Sequence, residues 1–167
     1  MLETPYLLSA MQFDVTTFFD DLVRLSLAVI LGGMVGAERQ LAGQSAGLRT
    51  HVMVALGSAV FTLAGIATAG GDMQQVTRVV QGVAAGVGFL GAGAILRIDG
   101  DTKVKGLTTA GSIWVAAAMG TAAGLGEYAL AASATIASLV VLVVLRPLGK
   151  HLDGLARRRT SKNSSEE

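Results

Sequence analysis

The chain has no cysteine, few aromatic residues and few charges. Without cysteine it can form no disulfide and offers no thiolate ligand to a metal ion. Aromatic residues make up 5% and charged residues 15% of the 167 positions, whereas soluble domains carry about 25% charged residues. This shortage of charge argues against an ordinary soluble domain.

What the chain does contain is hydrophobic: 51% of the residues are apolar, and the mean hydropathy is +0.58. Five apolar segments approach the roughly 20 residues that a membrane-spanning helix needs. We therefore predict an all-α polytopic membrane bundle of about five helices, with spans at residues 15–37, 52–69, 79–96, 107–125 and 128–145. Asp20, Asp21 and Arg24 interrupt the first span, and we interpret them as its outer interfacial turn, with Arg24 reaching towards the bilayer surface.

The basic residues are distributed unevenly around these spans. Eleven of the 13 Lys and Arg residues lie in the 38–51 loop, in the 97–106 loop or after the fifth span. Because basic loops stay in the cytoplasm, we predict an outside N-terminus and a cytoplasmic C-terminus. The predicted organisation is a periplasmic segment at 1–14, a five-span domain at 15–147 and a basic cytoplasmic tail at 148–167.

Two features are expected in the tail. Pro147 lacks an amide hydrogen and is expected to end or bend the fifth helix. Leu148, Leu152 and Leu155 recur at helical spacing among basic residues, which predicts a short helix on the membrane surface followed by disorder from Thr160. We interpret the basic residues as a membrane-side signal and expect no nucleic-acid partner.

Glycine is abundant where the chain is most hydrophobic, above all in residues 82–97. Pairs of glycines four residues apart let a second helix approach closely. The candidate packing residues are Gly32, Gly36, Gly82, Gly86, Gly88, Gly91, Gly93, Gly120 and Gly124, together with Trp114. Three interpretations stay open: ordinary helix contacts, a homo-oligomer interface, or a broken helix beside a cavity.

Polar residues collect at the predicted cytoplasmic ends of the spans. The candidates are Glu38, Arg39, Arg49, Thr50, His51, Arg97, Thr108 and Thr109. We expect Glu38 to pair with Arg49 or Arg97, and Thr108 or Thr109 to cap the fourth helix. This polar edge either caps helix ends and faces lipid headgroups, or forms a site for a ligand or partner protein.

The spans themselves contain no carboxylate between their ends. Divalent cations prefer oxygen ligands that usually include carboxylates, so this pattern argues against a dedicated cation channel. Glu38 is the one metal-ligand candidate beside a cytoplasmic span end. No nucleophile elbow, nucleotide-binding loop or acid pair at helical spacing is present, so we expect a protein that is not an enzyme and has no cofactor, with Mg²⁺ as the ligand or substrate to consider.

Four motifs occur in a fixed order: GAER at 36–39, AGLRTH at 46–51, GFLGAG at 88–93 and GLTTA at 106–110, the last followed by Trp114. In this the chain resembles the MgtC/SapB family of bacterial inner-membrane proteins over about residues 20–147. The resemblance implies a five-span domain and a link to growth in low magnesium and, in pathogens, to survival inside host cells. Virulence-type members carry a further soluble C-terminal domain, and this chain looks like the short form without it.

The resemblance also implies a regulatory role through contacts with other membrane proteins, such as ATP synthase or transporters. We therefore expect a small membrane regulator linked to magnesium homeostasis that also forms homo-oligomers. Two alternatives remain open at this stage. One is a transporter or channel for Mg²⁺ or another small solute, and the other is a structural subunit of a membrane complex.

Overall fold

The computed structural model describes residues 14–97 and 104–163 and forms a bundle of five helices. The predicted all-α membrane bundle is therefore confirmed. The helices are α1 (Val15–Leu41), α2 (Leu48–Thr68), α3 (Met73–Ala94), α4 (Leu107–Leu125) and α5 (Tyr128–Asn163). Between α3 and α4, the two-residue strands β1 (Leu96–Arg97) and β2 (Val104–Lys105) pair antiparallel, with Leu96 opposite Lys105. The predicted N-terminal segment up to residue 13 and the last tail residues, 164–167, lie outside the described residues.

Three helices are long and apolar enough to cross a membrane: α2, α3 and the Tyr128–Pro147 part of α5. The other two differ from them for separate reasons. Helix α1 carries Asp20, Asp21 and Arg24 in its first half. Helix α4 is rich in glycine, serine and threonine, and eleven of its 19 residues are buried. A helix enclosed by other helices meets little lipid, so its own hydropathy can be lower.

Helix α4 is the centre of the bundle, since each of the other four helices packs against it. Its buried side chains are mostly small, and Met119 is the largest that is completely enclosed. Helices associate in lipid largely through close packing, because lipid tails are as apolar as the side chains themselves. The core therefore depends on how closely the backbones approach.

Four glycines lie at the closest helix contacts. A Cβ atom on Gly120 would collide with the carbonyl group of Ala55, and one on Gly124 would lie 2.9 Å from the carbonyl oxygen of Ala59. In α1, a Cβ on Gly32 would lie 2.8 Å from the Cβ of Ala55 in α2. At Gly36 it would lie 2.8 Å from the Cα of Leu48. These glycines let α1 and α4 contact the backbone of α2 directly.

The glycines of α3 have a different environment. At Gly82, Gly86, Gly88 and Gly93, no heavy atom lies within 4 Å of the position that a Cβ would take. Gly91 alone among them faces a neighbour, with its Cβ position 3.6 Å from the Cβ of Ala110 in α4. Most glycines of α3 thus make no close contact with another helix of the chain.

Several helix ends differ from the sequence prediction. Helix α1 continues through Leu41, and α2 already begins at Leu48, because charged and polar residues at a span end can stay helical. Asp14 and Asp72 cap α1 and α3 by accepting the amide hydrogens of Thr16 and Gln74. The Thr17 hydroxyl and the Thr16 amide hold the pKa of the Asp14 carboxyl below its usual value.

Helix α5 does not end at Pro147, the first of the two predicted effects of this proline. The helix includes Pro147 and extends to Asn163, so residues 148–163 continue it and the predicted disorder from Thr160 is wrong up to that point. Proline removes one backbone hydrogen bond, and membrane helices tolerate this loss when the freed carbonyl finds another partner.

Arg24 contacts neighbouring residues of the bundle, whereas the sequence predicted that it extends to the bilayer surface. Its guanidinium pairs with Asp20 one turn earlier in α1, with a shortest distance of 2.6 Å. It also donates to the carbonyl oxygen of Gly124 at 2.9 Å, so it caps the last turn of α4. A buried carbonyl with no helical partner explains why the arginine turns inward.

The Gly120→Ala substitution tests the α2–α4 contact. We expect it to lower the free energy of unfolding by about 1–3 kcal/mol, because the added Cβ overlaps the carbonyl group of Ala55. Gly111→Ala in the same helix is the matched control, since its Cβ would enter open space. Thermal unfolding in detergent, followed by the fluorescence of Trp114, measures both. Equal midpoints for the two variants would contradict the close contact.

Candidate functional site

The four sequence motifs meet at one end of the bundle. GAER ends α1, AGLRTH begins α2, GFLGAG lies near the end of α3, and GLTTA begins α4. The polar side chains of these segments divide into a buried group and an exposed group. The buried group consists of Arg39, His51, Thr109 and Ser112, with the partly buried Glu38 and Gln44 beside them.

Glu38 and Arg39 form an ion pair within α1. The Arg39 Nε lies 2.5 Å from the Glu38 Oε2, and the two side chains are only 4% and 15% exposed. The sequence prediction paired Glu38 with Arg49 or Arg97. Arg49 is instead exposed, and the side chain of Arg97 lies outside the described part of the chain. Arg39 is itself buried and therefore requires a counter-ion, which Glu38 supplies.

His51 is completely buried and connects α2 to α4. Its Nδ1 lies 2.9 Å from the carbonyl oxygen of Gly47, one turn earlier. Its Nε2 lies 3.0 Å from the hydroxyl oxygen of Ser112 in α4. That hydroxyl is also 2.8 Å from the carbonyl oxygen of Thr109. The imidazole therefore belongs to a chain of hydrogen bonds between two helices.

Thr109 connects α4 to the loop between α1 and α2. Its hydroxyl donates to the Gln44 side-chain oxygen at 3.2 Å, so it does not act as the predicted helix cap. The residue at the cap position is Gly106, whose φ of 96° lies in the left-handed region, and it makes no side-chain cap bond. Gln40 supports the same loop, since its side-chain oxygen accepts the Leu48 amide hydrogen at 3.2 Å.

The exposed group contains Arg49, Thr50 and Thr108. Thr50 lines a cleft of about 510 Å³ together with Ser45, Phe89 and Gly93. Thr108 lines a separate cleft of about 340 Å³ between α4 and α5. Trp114 is half exposed on α4. The structure thus brings Glu38, Arg39, His51 and Thr109 into the buried end of the bundle and leaves the other described candidates at its surface.

Two residues of the buried network were absent from the sequence-predicted site. Ser112 lies three residues after Thr109, so both fall on one face of α4, and this spacing was the available signal. Gln44 lies in a loop, and its sequence gives no sign that it contacts α4.

The chemistry of this end is that of a satisfied polar network. In the described residues, no buried side-chain nitrogen or oxygen lacks a hydrogen-bond partner. Nor do these residues contain a group of three or more His, Asp or Glu side chains arranged to hold a metal ion. The arrangement holds helix ends together and contains one titratable ring, His51, inside it.

A further cleft lies elsewhere, between α2 and α3. Its volume is about 620 Å³. Apart from Ser58, its lining residues are apolar, and the Ser58 hydroxyl already donates to the carbonyl oxygen of Val54 at 2.8 Å. Gly57 of α2 faces Gly82 and Gly86 of α3 across it. We call this cleft the α2–α3 groove.

Comparison with known proteins identifies the family. The model of the MgtC family matches residues 25–151, which include all of α2, α3 and α4, the larger parts of α1 and α5, and all four motifs. The chain belongs to the MgtC family. It is similar to Protein SrpB of Synechococcus elongatus, with 43% identity over 129 residues that cover 71% of each chain. No solved structure matches it.

Members named MgtC are also similar to the chain. Protein MgtC of Salmonella typhimurium is 39% identical over 137 residues, which cover 82% of this chain and 57% of that protein. Protein MgtC of Brucella abortus is 42% identical over 135 residues, which cover 81% and 55%. The aligned part is thus just over half the length of these two MgtC relatives, and it corresponds to the membrane helices described above.

Arg39→Ala tests whether the buried ion pair stabilises the helix ends. We expect a loss of about 3 kcal/mol in the free energy of unfolding, because Glu38 is left nearly buried without its counter-ion. Arg49→Ala removes an exposed arginine of the same loop region and should change stability by less than about 0.5 kcal/mol. Thermal unfolding in detergent provides the comparison. A loss in Arg39→Ala as small as that in Arg49→Ala would refute the role of the pair.

Proposed function

We propose that this MgtC-family member is a non-enzymatic regulator in the bacterial cytoplasmic membrane, linked to magnesium homeostasis. It acts through contacts between its helices and those of other membrane proteins, and through self-association. The observation that carries this proposal is the small-residue surface of α3, where a Cβ on most of the glycines would meet no atom within 4 Å. The glycine pairs of α1 and α4, in contrast, already pack closely against α2.

The α2–α3 groove is the proposed contact surface. Elsewhere in the bundle, Gly32, Gly36, Gly120 and Gly124 each face another backbone or side chain at close range. The positions that a Cβ would take on Gly57, Gly82 and Gly86 meet no atom within 4 Å. Small residues at a helix surface allow a partner backbone to approach and gain dispersion contacts that lipid chains fill less well. A transmembrane helix is therefore the occupant that suits this groove.

The interior of the bundle supports a regulator over a carrier. The buried polar groups of α4 are Thr109, Ser112 and Thr121, which are neutral. A pathway for Mg²⁺ requires oxygen ligands that replace water around the ion, usually including carboxylates. The nearest carboxylate at this end, on Glu38, is already engaged by Arg39.

Orientation and partners follow from the sequence and the family. The distribution of Lys and Arg favours a cytoplasmic C-terminus and places the buried polar network at the cytoplasmic face. The family resemblance suggests ATP synthase or transporters as partners. The groove is suited to such contacts because its lining is apolar apart from Ser58.

Gly86→Leu tests the groove as an association surface. We expect it to reduce both self-association and co-purification of membrane partners several-fold, because the leucine fills the space that a partner helix would occupy. Gly111→Leu is the matched control, since its Cβ also enters open space but lies on α4. Crosslinking in native membranes, followed by mass determination, measures both effects. Unchanged assembly in Gly86→Leu, or equal losses in the two variants, would contradict the proposed surface.

Reconstitution in liposomes separates the regulator from the transporter. With a Mg²⁺-sensitive dye trapped inside, we expect the entry rate of Mg²⁺ to equal that of protein-free liposomes. Entry above this background that disappears in Glu38→Ala would instead establish transport by this chain. Arg49→Ala serves as the control because it removes an exposed charge from the same end of the bundle.

A further inference from the structure

The buried imidazole of His51 has an unequal set of neighbours. Gly47 offers its carbonyl oxygen to Nδ1 at 2.9 Å. A carbonyl oxygen only accepts hydrogen bonds, so Nδ1 must carry the hydrogen whatever the charge of the ring. Any change in protonation therefore takes place at Nε2, the atom that faces α4.

The group facing Nε2 is the Ser112 hydroxyl, at 3.0 Å. A hydroxyl has one hydrogen to donate and lone pairs that accept. The same oxygen lies 2.8 Å from the carbonyl oxygen of Thr109, a second acceptor. One hydrogen must therefore serve two acceptors while the ring is neutral, and Ser112 donates either to His51 or to Thr109.

Proton uptake removes this competition without moving a heavy atom. A proton on Nε2 makes this atom a donor to the Ser112 oxygen. The serine hydrogen is then free to serve the carbonyl oxygen of Thr109, and the direction of donation runs from α2 to α4. Each of the three short contacts is then a hydrogen bond with one donor and one acceptor.

The charged groups that act on the ring come from α1. They are Glu38 and Arg39, whose charges oppose each other as an ion pair. Helix α4, which supplies Ser112, has no ionisable residue along its length. From α2 itself, Arg49 is exposed. Burial of the ring opposes its charged form, and the hydrogen bond to Gly47 rather than a carboxylate of its own favours it.

We propose that His51, with Ser112 as its relay, is a reversible proton-binding site at the contact between α2 and α4. The same turn of α4 carries Thr109, whose hydroxyl donates to Gln44 of the α1–α2 loop. The ligand is a proton, and the site does not depend on the regulatory role proposed above.

Nitrogen NMR of labelled histidine in lipid nanodiscs tests the site directly. The chain has two histidines, and His151→Gln leaves His51 as the single imidazole signal. We expect Nδ1 to be protonated throughout, and Nε2 to change from bare to protonated in one reversible step between about pH 7 and pH 4, because an enclosed ring disfavours its charged form. A ring that stays in one state across this range overturns the proposal.

Ser112→Ala, in the same background, tests the relay. The charged ring loses the acceptor for its Nε2 hydrogen, so half-protonation should require at least about a threefold higher proton concentration. Ser112→Thr should restore the wild-type behaviour because it keeps the hydroxyl. Ser138→Ala is the matched control, since that serine bonds to Ala134 one turn earlier in α5. A Ser112→Ala titration identical to that of Ser138→Ala overturns the relay, and the wild-type titration still tests proton binding if Ser112→Ala fails to fold.

Discussion

The direct contact between the backbones of α2 and α4 is the constraint on which the rest of the bundle depends. It exists because Gly120 has no side chain where the carbonyl group of Ala55 approaches it, and Gly124 repeats the arrangement one turn later against Ala59. In lipid there is little hydrophobic force between helices, so association relies on such close packing. Helix α1 uses Gly32 and Gly36 to approach the same helix closely. Because α1 also packs against α4, the three helices form one closely packed stack.

This stack determines where polar groups can be buried. Because α2 and α4 are close, His51 reaches Ser112, and Thr109 reaches the loop that precedes α2. The motifs of the MgtC family therefore have a physical meaning in this chain. Gly36 of the first motif allows α1 to approach α2, and His51 and Thr109 join the helix ends that the approach brings together. Helix α3 shares only part of this packing, which leaves the α2–α3 groove, the proposed contact surface, open.

Sequence reasoning predicted the bundle well where hydropathy changes sharply. The bounds of α4 agree with the predicted span at 107–125 because Gly106 and Gly126, both with left-handed backbones, stop the helix on each side. It failed where a helix continues through polar residues, as at Leu48 and beyond Pro147, because hydropathy reports lipid contact rather than helical conformation. The partners of Glu38 and His51 could not be predicted either. They depend on how each helix is rotated about its axis, and this rotation results from the glycine contacts.

Solid-state NMR of the uniformly ¹³C-labelled protein in lipid tests the contact between α2 and α4 most directly. A cross-peak between the carbonyl carbon of Ala55 and the Cα of Gly120 should appear at short mixing times, since only atoms a few ångströms apart transfer magnetisation so quickly. Its presence is the result that the close backbone approach predicts. If this cross-peak is absent while sequential correlations of both residues are strong, the two backbones are not in contact and the account is contradicted.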